Sequence, residues 1–221
     1  MLSATNLESI TSEGRRLAAA VRREPARPVP QYPGWTLADL ASHTASVHAR
    51  TVLVCRDLPQ ERVSVPRLPD GKNPADWFAE TLEEMVAALR ASDPSTRVWG
   101  FDPDWPTIGF WERRMVIETG VHRWDASDAF SEAEGLTSHV AREGLDEFAR
   151  MWLPRLGSVP TLDVVATDLE TSWRYGTGDP VHRVEGTASD LYLRLMARRS
   201  PVELPAAWAA AVDGLPPPGK P

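Results

Sequence analysis

Glu118 and His122, one helical turn apart in the stretch MVIETGVHRWDA (115–126), pose the chemical question of this chain. Residues four apart on a helix share a face, and extending that face gathers Trp111, Met115 and Ala126 around the pair. A carboxylate and an imidazole in an apolar stripe require partners, because an unpaired buried charge is costly. Three are open: each other, a third protein group, or a metal ion. The neighbouring face carries Glu112, Arg113 and Arg123 and is expected to be solvated. A catalytic zinc site takes three protein ligands and leaves a fourth position open. Two ligands stand here, so a third would come from a facing helix. Of the five histidines, His43 is the best placed, midway along a stripe of Leu40, Val47 and Val54. His48 is rotated off that stripe, while His139 and His182 fall in terminal or strand contexts. Spacing alone fits an ion pair or a satisfied core histidine as well as a metal site.

The elements that must position these residues follow from periodicity and breakers. Leu7, Ile10, Leu17, Ala18 and Val21 predict a helix over 4–23, and the connector EPARPVPQYPGW ends it. Thr36 and Asp39 resemble a capping box that opens a second helix. Residues 59–72 read as a loop, and further helices are expected over 74–91, 107–128 and 137–154. After Gly157 the texture changes: TLDVVATD, TSWRYG and VHRVEG read as strands, and 187–198 as a helix. The LPPPGKP tail is expected to be disordered. The fold class is therefore α+β, a helical domain over 1–156 and a small α+β domain over 157–221. Trp99 and Trp105 are expected on a pocket wall, Asp125 either behind His122 or on the surface, and Cys55 as a buried small hydrophobe.

Composition narrows the class. With 42% hydrophobic and 25% charged residues the chain reads as soluble and globular, and its net charge of −7 argues against nucleic acid or an anionic membrane. No apolar run is long enough to span a bilayer, and no signal segment is read at the N-terminus. The single cysteine excludes an internal disulfide and an all-cysteine metal site, and fits a cytoplasmic location.

The segments PGWTLADLASHTASVHAR (33–50) and ERRMVIETGVHRWDA (112–126) together resemble the mycothiol-dependent maleylpyruvate isomerase family of the DinB-like metalloenzyme superfamily. The first signature is carried by Pro33, Gly34, Trp35, Thr36, Leu37, Asp39, Leu40 and His43, the second by Glu118 and His122 through Ala126. EGTASDLYLRLMARRSP (185–201) is similar to the family's C-terminal signature, with Ala197 where a glycine usually precedes the arginine. The resemblance implies a DinB-like four-helix bundle followed by a domain similar to sterol-carrier folds. It also implies zinc held by His43, Glu118 and His122, with mycothiol as the low-molecular-weight thiol cofactor. A zinc-bound thiolate would then act on a small electrophile by cis–trans isomerisation or thiol transfer, and Arg198 or Arg199 would hold a substrate carboxylate. Two other classes stay open on the residues alone: a zinc metallohydrolase and a non-catalytic metal- or ligand-binding protein.

Overall fold

The computed structural model describes residues 4–176 and 181–216. Four helices fill the first part of the chain: α1 (Ala4–Arg23), α2 (Leu37–Asp57), α3 (Pro74–Ala91) and α4 (Ile108–Asp128). The starts of α2 and α3 have local causes. Thr36 caps α2 and Asp39 reaches back to the Thr36 backbone, the reciprocal pair the sequence predicts. Asn73 caps α3, with Pro74 in the first turn where a missing N–H costs nothing. α1 packs against α3 and α4, and α2 against the same two, which makes a four-helix bundle. Gly14 permits the close approach of α1 to α3: a Cβ there would lie 2.5 Å from Leu82 Cδ2.

α4 is the central element, with 17 of its 21 residues buried. The face expected to be solvated is therefore inside the protein. Glu112 and Arg123 are buried, and Arg113 is half-buried against the Trp105 ring. Arg123 pairs through Nε with the buried Glu13 of α1 and donates from a terminal nitrogen to Glu134 O at 3.3 Å. The sequence reading missed this because α4 has helices on more than one side. Arg123 is then satisfied by α1 and by the Glu134 carbonyl rather than by water.

The second part holds α5 (Ser138–Met151), a short 3-10 turn (Leu153–Arg155), β1 (Leu162–Ala166), β2 (Thr171–Tyr175), β3 (His182–Gly186), α6 (Ala188–Leu195) and α7 (Ala206–Asp213). The sheet order is β2-β1-β3, with β2 antiparallel and β3 parallel to the central strand. Leu162, Val164 and Ala166 alternate into the core, and Tyr175 stacks between Phe148 and Trp208. The sequence reading did not expect α7. It is short and flanked by proline, and Trp208 anchors it by burying its ring and donating Nε1–H to Pro160 O at 2.8 Å. The expected disordered tail falls mostly outside the described residues, at 217–221.

The compact units divide between Glu134 and Gly135, earlier than the expected 1–156 and 157–221 division. The cause is α5, which packs on α6 and β2. Gly144 makes that possible, since a Cβ there would lie 2.3 Å from the Tyr192 ring. Periodicity identifies α5 as a helix but carries no information about the partner of its apolar face. Among the described residues no helix is long and apolar enough to cross a membrane.

Candidate metal site

α2 and α4 bring His43, Glu118 and His122 together. One ligand atom from each lies within 4.8 Å of the others. Glu118 Oε1 is 3.2 Å from His43 Nε2 and 3.1 Å from His122 Nε2, and the two imidazoles meet edge to face at 5.2 Å. Ligand atoms on a tetrahedral centre with bonds of about 2.0–2.2 Å stand roughly 3.3–3.6 Å apart. Small adjustments would therefore admit an ion, and the nitrogen–oxygen donor set suits zinc or another borderline divalent metal.

The surroundings fix which atoms remain available. His122 Nδ1 lies 3.0 Å from Asp125 Oδ2, leaving Nε2 directed at the cluster. Asp125 is fully buried and also accepts from Tyr32 OH at 3.3 Å, so it stands behind the histidine and not on the surface. Arg114, one turn before Glu118, donates to Oε2 at 2.5 Å and leaves Oε1 free to ligate. Trp35 packs its ring 5.4 Å from His43 and 4.9 Å from Tyr32. The proline-rich connector thus supplies a wall for the site, held by the Pro28–Thr36 bridge and the turn at Gly34 (φ +81°).

Electrostatics follow this geometry. Burial opposes charge on Glu118, but Arg114, His122 and His43 together outweigh it and hold the carboxyl well below its usual range. Burial likewise opposes charge on His122, and Glu118 and Asp125 overcome it, raising its pKa to about 9. A metal would displace that proton. His48, fully buried, is held neutral by burial, its pKa lowered to about 3, with Nε2 at 3.0 Å from Thr119 Oγ1. It is a core histidine outside the cluster.

The site opens on one side. The His43 side chain is 20% exposed against 7% for Glu118 and 6% for His122. A cleft of about 870 Å³ begins there, lined by Asp39, His43, Val47, Arg50, Arg67 and Leu68 among others. Ser42 and Ser46 also face it, yet each hydroxyl donates to the α2 backbone one turn back. Trp99 and Trp105, expected on a pocket wall, pack against Arg50 and Arg113. The sequence reading missed Tyr32, Arg114 and Arg50. Arg114 and Arg50 had a signal, lying four residues before Glu118 and seven after His43; Tyr32 had none.

In the other unit, Arg198 is buried and donates to Met196 O at 2.7 Å, while Arg199 is exposed. Ala197 has φ +58° and closes α6 with a paired turn, Ala197 N–H to Arg194 O and Arg198 N–H to Leu193 O. That left-handed position is where helices favour glycine.

Residues 7–127, more than half of the chain, match the sequence model of the mycothiol maleylpyruvate isomerase N-terminal domain. No curated protein matches by sequence. Among solved structures, the fold is similar to a crystal structure of mycothiol-dependent maleylpyruvate isomerase, with a TM-score of 0.66 at 14% identity, covering 91% of this chain and 94% of that one. A histidine-to-alanine mutant of mycothiol-dependent maleylpyruvate isomerase matches over the same shares, with a TM-score of 0.64 and 14% identity.

Proposed function

The chain belongs to the mycothiol maleylpyruvate isomerase family, and from that premise we propose that it is a thiol-dependent metalloenzyme acting on a small electrophile. The supporting observation is the convergence of His43, Glu118 and His122 at the head of a cleft that reaches them beside His43. In this reading the three side chains hold a divalent metal, zinc by preference of the donor set. Bound there, the metal would acidify a thiol at its open position, and the thiol would supply the nucleophile for reversible addition to a cis alkene or for transfer.

The chain's own residues have defined tasks. Asp125 and Tyr32 hold His122 with Nε2 forward, and Arg114 fixes the Glu118 carboxylate so that one oxygen is presented. Trp35 and Tyr32 restrict water on the connector side. The protein's own thiol is poorly suited to attack, because burial pushes the Cys55 pKa up. The serine hydroxyls on the cleft are committed to backbone carbonyls. An external thiol fills that gap.

Arg198 and Arg199 are proposed to hold a substrate carboxylate, on the resemblance of the 185–201 segment. Arg198 is favoured, because the left-handed Ala197 occupies the position that a glycine would take before it.

His43→Ala should abolish metal binding and turnover together, since two ligands hold zinc poorly. Metal analysis, with rates on maleylpyruvate and on a simple activated alkene with and without mycothiol, tests the reading and ranks isomerisation against transfer. Equal turnover without any thiol would overturn it in favour of a metal-dependent hydrolase.

A further inference from the structure

Arg50 is the one arginine on the cleft that the metal cluster does not use and that burial makes expensive. It lies seven residues after His43 on the same helix, hence on the same face, and lines the same cleft. It is 6% exposed. Its Nε is buried without a hydrogen-bond partner, and no ion pair to it is found among the described residues. What surrounds the guanidinium instead is aromatic: Cζ lies 5.0 Å from the Phe101 ring centre, 5.2 Å from Trp111 and 5.9 Å from Trp99. Trp111 is locked in place by its Nε1–H bond to Trp99 O at 2.7 Å.

Rings of this kind attract a cation through their faces but offer no lone pair to its N–H groups. A largely buried cation in that condition, with Nε sealed off, favours an anion that reaches it from the cleft. Burial lowers the Arg50 pKa to about 10, so the group stays charged at neutral pH. Glu118 is the one carboxylate whose field reaches it with any weight, while Arg114 and Arg62 add like charge. Glu118 is already engaged by Arg114 and the two histidines. Arg67 lines the same cleft, and its acidic member, Asp39, is committed to the α2 cap. A positive pocket wall in a chain of net charge −7 selects for anions.

We propose that Arg50 is a binding residue for a carboxylate on the small molecule that enters this cleft, its planar fork taking the two oxygens together. Seven residues of helix separate the Cα atoms of His43 and Arg50 by about 10 Å, and long helical side chains lean back toward the N-terminus. The gap suits a short-chain acid of a few carbons, with its carboxylate at Arg50 and its reactive carbons beside His43. This rests on the small-electrophile reading above and adds a charge requirement to it. It is separate from the role proposed for Arg198 or Arg199.

The test is equilibrium binding of succinate, with its neutral diamide as control, read by tryptophan fluorescence because Trp99 and Trp111 flank Arg50. It is run on metal-loaded and metal-stripped protein without any thiol. Wild type should bind succinate at least tenfold more tightly than the diamide in both forms. Arg50→Gln should remove that preference with metal content unchanged, and Arg50→Lys should restore part of it. Equal binding of acid and amide by wild type overturns the proposal without using a variant. So does undiminished succinate binding by a folded Arg50→Gln, or preference that vanishes on metal removal, which would put the carboxylate on the metal. Because no thiol is present, the Arg50 result and the thiol-dependence result fail separately.

Discussion

The two units treat charge in opposite ways. The bundle buries Glu13, Arg50, Asp102, Glu112, Glu118, His122, Arg123, Asp125 and Asp128, whereas the sheet-bearing unit buries Glu147 and Arg198. The ion pairs seen in the sheet unit, Arg174–Asp163, Arg183–Glu185 and Arg194–Asp213, each keep at least one side chain more than half exposed. Exposed pairs of that kind contribute little, while buried charges stand only when geometry and hydrogen bonds satisfy them. Within the bundle, two groups of buried charge contrast. Arg123 and Glu13 close on each other across α4 and α1, sealed from solvent. Glu118 and its two histidines on the other face stand at an open cleft. The closed pair cannot lose one member without stranding the other; the open cluster has the form of a site.

That contrast can be broken most sharply at the closed pair. Glu13→Ala leaves the buried Arg123 without its carboxylate counter-charge and should cost about 3–5 kcal/mol. Chemical denaturation measures that loss, and metal stoichiometry of the remaining folded protein should be unaltered. A loss of metal in parallel would mean that the two faces of α4 are not independent.

At the open cluster, Asp125→Asn keeps the size of the group behind His122 but removes its charge. Metal affinity should fall about 10–100-fold with a much smaller change in stability than Glu13→Ala causes. Competition with a chromophoric chelator reads it, and unchanged affinity would deny Asp125 its positioning role.

A third test uses acid. His48 has its folded pKa near 3, below the ordinary value of about 6.5. Its contribution is therefore fully present above pH 6.5 and is lost as pH falls toward 3. From pH 7.5 to pH 5 the loss is about 2 kcal/mol. His48→Gln should flatten the stability profile over that interval, and an identical slope in both proteins would show that other groups set it.

In the sheet unit the expected effects are smaller and come from the backbone. Ala197→Gly relieves a left-handed alanine at the end of α6, offset by glycine's greater freedom in the unfolded chain. The net gain should be at most about 1 kcal/mol, measurable as a small rise in melting temperature. A clear fall would mean that the Ala197 methyl group contributes packing that outweighs the strain.

The sequence by itself determined the local elements and the site face. Leu7 through Val21 specify α1, Thr36 and Asp39 start α2, and the four-residue spacing of Glu118 and His122 sets both on one face of α4, because these are properties of a single helix. Convergence with His43 was legible as an expectation, since a bundle core joins facing stripes. Only the tertiary structure decided which partner each apolar or charged face meets. It placed α5 with the sheet, buried Arg123 against Glu13, put Tyr32 and Asp125 behind His122, and left Arg50 among aromatic rings on a cleft. Those outcomes depend on contacts between residues distant in sequence, such as Glu13 and Arg123 or Tyr32 and Asp125. Periodicity within one segment reports which face turns inward, and the chain's packing alone selects what lies there.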